Sequence, residues 1–93
     1  MDRVRNEELR ALLTLRSAIG LKALGFCFDR GLAGGVCVSF QGRGLGAWWY
    51  QDACFHFSSM AYRKPNYTCK SLDQMVARTS ELATASRRQR AIQ

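Results

Sequence analysis

Four cysteines, at positions 27, 37, 54 and 69, and a single histidine, His56, are the residues of this chain best suited to metal ligation or nucleophilic catalysis. Structural zinc sites draw their ligands from close pairs such as C-x2-C or H-x3-H, because one tight turn then offers two ligands to one ion. Successive cysteines here are 10, 17 and 15 residues apart, so no metal site is expected. A thiol nucleophile needs a base within about 3 Å. Cys37 and His56 are expected on the outer strands of a sheet, about 9–10 Å apart across two strand spacings, with Trp49 between them. Cys54 and His56 share a strand and a face, but at a separation of about 6.5–7 Å. The acidic residues fall on caps, turns and helix surfaces, with no pair placed for acid–base work. The glycine runs "GLAGG" (31–35) and "GRGLG" (42–46) lack both the strand–G-x-G-x-x-G–helix context and the lysine of a phosphate-binding loop. No catalytic residue, metal or small-molecule cofactor is expected. A small Cys/His enzyme is the least supported reading.

Charge points elsewhere. The chain of 93 residues has a formal charge of +7, from eleven arginines and three lysines against seven acidic residues. Such a balance favours anionic partners, and arginine suits bidentate contacts to phosphate and carboxylate. Arg43 in a hairpin turn, Arg63, Lys64 and Lys70 around "YRKPNY" (62–67), and Arg87, Arg88 and Arg90 in the tail could form a basic rim. Tyr62, Tyr67 and Trp49 could stack on bases of RNA or single-stranded DNA beside it. No RNP-like motif is present, and a sheet separates the two expected helices, which excludes a helix-turn-helix. The start, "MDRVRNEELR", carries charge where a signal peptide places its apolar core, and no window approaches the ~18–20 apolar residues of a membrane span. The expected location is cytoplasmic, away from membranes, with the cysteines as reduced thiols.

The length and a composition 47% hydrophobic and 23% charged fit one globular domain, 1–93, rather than a disordered chain. Residues 7–24 read as a helix, with Asn6 as N-cap, Glu7 and Glu8 at the positive end of the helix dipole, and Gly25 just past its end. Its expected apolar stripe is Leu9, Leu12, Leu13, Ile19, Ala23 and Leu24, with Arg16 intruding. Arg16 is expected either to snorkel to the edge of the stripe or to pair with a carboxylate or carbonyl groups at the sheet edge. Residues 25–35 read as a connection whose phenylalanines plug the core. Period-two alternation then gives strands at 36–41, 45–50 and 54–58. Residues 59–70 read as a loop or irregular extension. "SLDQ" (71–74) fits a capping box at the start of a helix over 71–86. The face of that helix is Leu72, Met75, Val76, Thr79, Leu82 and Ala83, and a basic tail, 87–93, follows.

The expected fold is α+β, a two-layer α-β-β-β-α sandwich. Its three-stranded antiparallel meander carries both helices on one face. A three-residue turn at 42–44, with Gly44 left-handed, would pair Val38 with Trp48, and a turn at Asp52-Ala53 pairs Trp49 with His56. Val36, Val38, Phe40, Trp48, Tyr50, Phe55 and Phe57 then face the core. Cys37, Ser39, Gln41, Ala47, Trp49, Gln51, Cys54, His56 and Ser58 share the open face. The expected function is a small non-enzymatic accessory or inhibitory module, of the kind phages and mobile elements encode. It would act through a macromolecular partner, with protein (including a homodimer through the open face) favoured over nucleic acid. Trp49 and His56 sit at the centre of that face, with the basic rim around it.

Overall fold

The computed structural model describes residues 3–59 and 65–92, with side chains described within 3–59 and 67–84. Over these residues it is α+β, with three helices and one five-stranded antiparallel sheet. The elements run α1 (Arg3–Ser17), α2 (Ile19–Leu24), β1 (Phe26–Arg30), β2 (Val36–Phe40), β3 (Arg43–Gln51), β4 (Cys54–Ser59), β5 (Pro65–Cys69) and α3 (Leu72–Ile92). Strand order in space is strand order in sequence.

The sheet is thus wider than the expected three strands. Residues 26–30 form an edge strand rather than a connection. They pair Phe26 with Phe40 and Phe28 with Val38, so both rings join the core. Residues 65–69 form the opposite edge, with Phe55 paired to Cys69 and Phe57 to Tyr67. Pro65 opens β5, a position where its missing N–H costs no central ladder bond.

The first meander turn also differs from expectation. Gln41 and Gly42 both have positive φ (51° and 81°), the signature of a two-residue type I′ turn, and Val38/Ser39 marks a bulge in the β2–β3 ladder. Val36, not Val38, lies opposite Trp48. On the Trp48 side of the bulge the shift is two residues, so Val36, Val38, Trp48 and Trp49 keep their expected faces, while Gln41 leaves the strand for the turn. The Asp52-Ala53 turn is as expected, with both residues at positive φ, and Trp49 pairs with His56.

The expected single helix over 7–24 is two. Helix α1 begins at Arg3, so Asn6 is an internal residue rather than the cap, and the helix breaks at Ala18, which is extended (φ −77°, ψ 99°). The break resets the rotational phase. The buried residues are Glu8, Ala11, Leu12 and Leu15 on α1 and Leu21 on α2, while Leu13, Ile19 and Ala23 face out. Gly25 ends α2 as expected, left-handed at φ 104°, its N–H bonded to the carbonyls of Leu21 and Lys22.

At the other end, the Ser71 hydroxyl accepts the Gln74 N–H at 3.2 Å. The Gln74 side chain reaches back to the N–H of Lys70 at 3.0 Å, one residue before the cap. Met75, Thr79 and Ala83 of α3 are buried, with Leu72, Val76 and Leu82 packed at their side. The helix continues through the expected tail to Ile92.

Helices α1 and α3 cover one face of the sheet. Leu12, Leu15 and Met75 meet Val36, Val38, Phe40, Trp48 and Phe57 in one core. Two polar ties lock this packing. The indole N–H of the fully buried Trp48 donates to the Thr79 hydroxyl at 3.0 Å, which in turn donates to the carbonyl of Met75 at 2.7 Å. On the α1 side, the Glu8 carboxylate, 4% exposed, accepts the N–H of Gly35 at 2.9 Å and that of Tyr50 at 3.2 Å. Far from being a surface charge near the helix dipole, Glu8 joins α1 to the head of β2 and the end of β3.

Candidate functional site

Alternation on β3 separates the adjacent tryptophans. Trp48 points into the helices, and Trp49 points to the uncovered face, where it retains 36% exposure. The Trp49 ring lies against the chain at Gly35, where a Cβ would come within 2.9 Å of it. Gly35 also has φ 76°. Position 35 therefore needs glycine on two counts: left-handed backbone and the close approach of the indole. That seat fixes the tryptophan ring beside the β1–β2 turn.

His56 stands opposite Trp49, as expected. Both ring nitrogens are engaged: Nδ1 lies 3.2 Å from the Thr68 hydroxyl on β5 and Nε2 3.1 Å from the carbonyl of Gln51 on β3. A neutral ring with its proton on Nε2 satisfies both, donating to the carbonyl and accepting from the hydroxyl. In this arrangement His56 bridges three strands.

The rest of the uncovered face carries Cys27, Cys37, Ser39, Ala47, Cys54, Ser58 and Thr68 by register. Asp29 joins them at the β1 edge, where Arg16 wraps round from α1. The Arg16 Nε donates to the Phe28 carbonyl at 2.9 Å and Nη2 to the Asp29 carboxylate at 3.2 Å, the second of its two expected arrangements.

Among the described residues no group of three or more His, Cys, Asp or Glu side chains is placed to hold a metal ion. Cys37 and His56 lie on β2 and β4 with β3 between them. Cys69 is on the covered face. Its burial pushes the thiol pKa up, against the opposing pull of the Arg78 charge, and so favours the protonated form.

The expected basic rim is only partly in view. Arg43 is exposed at the β2–β3 turn, the end of the sheet away from Trp49. Tyr62, Arg63 and Lys64 lie outside the described residues. Arg87, Arg88 and Arg90 fall on the last turns of α3, beyond the described side chains. Tyr67 lies on the covered face with its ring centroid 6.5 Å from that of Trp48 and 6.1 Å from that of Phe57, and Arg78 stacks over it at 5.7 Å. Its ring is partly buried against the core, on the face opposite Trp49.

A cavity of about 390 Å³, absent from the sequence-based expectations, lies at the Trp49 end of the sandwich. The first turns of α1 supply Val4, Arg5 and Glu8. Arg30 comes from the end of β1, Ala33 and Gly34 from the β1–β2 turn, and Trp49, Tyr50 and Gln51 from β3. Spacing held one clue. Glu8 stands at i relative to Ala11, Leu12 and Leu15, the pattern of a buried stripe with a carboxylate in its first position. Arg30, by contrast, joins this site only through the strand at 26–30.

No protein-family model matches this chain, and neither the curated proteins nor the solved structures compared with it include a match. No helix among the described residues is long and apolar enough to cross a membrane.

Proposed function

We propose that this chain is a small, non-enzymatic binding module that acts through protein contacts on the uncovered face of its sheet. One observation carries the reading: on a chain of net charge +7, the described residues of that face are nearly free of charge. Among its described residues Asp29 is the formally charged one, and Arg16 engages it. A face evolved only to meet water has no reason to exclude lysine, arginine and glutamate. The centres of protein interfaces are depleted in charge and enriched in aromatic residues. The small side chains of Cys37, Ser39, Ala47 and Ser58 leave a flat surface, with Trp49 as its one large ring, a residue type common among energetic anchors.

A second copy is one partner of this kind, since two such faces can meet without opposing their charges. An accessory or inhibitory factor docking on another protein is the other. Nucleic acid fits this face less well, because phosphate binding needs cations.

The test is Cys37→Arg, which sets a guanidinium on an exposed position of the face. Light scattering of the purified chain and co-purification from its host would be run on both forms, with melting temperature as the control for folding. The expected result is a complex held by the parent and lost by the variant at unchanged melting temperature. A complex indifferent to Cys37→Arg refutes the reading. So does strongly salt-dependent binding to RNA or single-stranded DNA that survives the substitution.

A further inference from the structure

We infer that the cavity at the Trp49 end of the sheet docks an acidic segment of a partner protein, with a carboxylate held by Arg30 and a neighbouring apolar side chain set against Trp49. This inference rests on the protein-binding reading and adds to it a second, chemically distinct contact.

Three observations converge. First, one cation of the cavity has no counter-charge set against it. Glu8, the carboxylate among the lining residues, has both oxygens engaged by backbone N–H groups. The Arg30 side chain is half-buried and makes no hydrogen bond or ion pair among the described residues. A guanidinium held at a cavity wall is a ready donor pair for a carboxylate.

Second, apolar surface surrounds that cation. Val4 is 46% exposed and lines the cavity, as Trp49 does, and Leu32 is fully exposed at the tip of the turn that also supplies Ala33 and Gly34. Tryptophan and arginine side by side make the composition of an interface anchor.

Third, the walls are fixed in place. Glu8 ties α1 to β2 and β3, and Gly35 seats the indole, so little ordering is needed on binding.

The same features argue against a run of phosphates. Trp49 is the one exposed large aromatic ring among the described residues, whereas single-stranded nucleic acid is held by successive stacking rings.

Trp49 supplies the readout, since Trp48 is fully buried. The probe is a capped peptide in which glutamates flank a leucine, titrated into the full chain at low salt while tryptophan emission is recorded. The comparison titrations use a peptide with glutamine for glutamate and a short single-stranded oligonucleotide.

Saturable change with the acidic peptide alone is expected. Arg30→Gln should weaken it by about tenfold or more, as loss of a charge-assisted contact does. Arg43→Gln, at the far end of the sheet, should leave it unchanged. Trp49→Phe should remove the signal while calorimetry still detects the peptide. The inference fails if the acidic peptide gives no saturable change, if Arg43→Gln weakens binding as much as Arg30→Gln, or if the oligonucleotide binds more tightly. Failure here alongside a complex that Cys37→Arg still disrupts removes the cavity contact alone. Loss of the Cys37→Arg effect removes the sheet-face reading itself.

Discussion

Replacing Glu8 by glutamine changes one oxygen into an amine and leaves the shape of the side chain almost intact. The sequence and the structure give this residue different roles, and the two roles differ in magnitude. A carboxylate near the positive end of a helix dipole, exposed to water, is worth about 0.3–1 kcal/mol. In the structure the carboxylate is 4% exposed and accepts two backbone N–H groups from two strands. Hydrogen bonds to charged groups contribute about 1.5–3 kcal/mol each. In Glu8→Gln one oxygen keeps one of them in neutral form, while the new NH₂ faces the other N–H donor to donor. The expected loss is about 2–4 kcal/mol, read as a fall in the urea midpoint at unchanged slope. For a domain of this size it corresponds to a melting temperature lower by about 10–25 °C. A loss under about 1 kcal/mol would match the dipole role and refute the strap.

Thr79→Val keeps volume and deletes the hydroxyl that accepts the Trp48 indole N–H, so urea unfolding should show a loss of about 1–3 kcal/mol, with Thr79→Ser recovering most of it. Ala53 sits at φ 61°, where a Cβ is unfavourable. Ala53→Gly gives the Asp-Gly pair favoured in type I′ turns and should raise stability by up to about 1 kcal/mol; a lower melting temperature would refute that turn assignment.

What could be read from the sequence was what alternation controls. Period two put Trp48, Phe55 and Phe57 inside and Trp49 and His56 outside, and an error of two residues in the first hairpin did not disturb that division. The edges were harder. Phe26–Arg30 is short, flanked by glycines on both sides, and gives only one clear alternation, while Pro65 disguises the start of β5. The N-terminal helix differs from expectation because a single periodicity does not run through Ala18. Once the helix breaks there, Leu13 and Ile19 leave the stripe and Ala11, Leu15 and Leu21 enter it. The cavity depended on both errors: its walls include Arg30 from the unrecognised strand and Glu8 from the wrongly phased helix.

Strand order equal to chain order has a kinetic consequence. Each strand finds its pairing template in the segment made just before or after it, so the loop-closure entropy of each pairing step is small. The sheet can zip together hairpin by hairpin, the regime of fast folding for a β-rich topology. The costly closures are those that bring the two ends of the chain onto the finished strands. Glu8 reaches across to Gly35 and Tyr50, and Thr79 back to Trp48. On this account the helices dock last, and substitutions at Glu8 and Thr79 accelerate unfolding more than they slow folding.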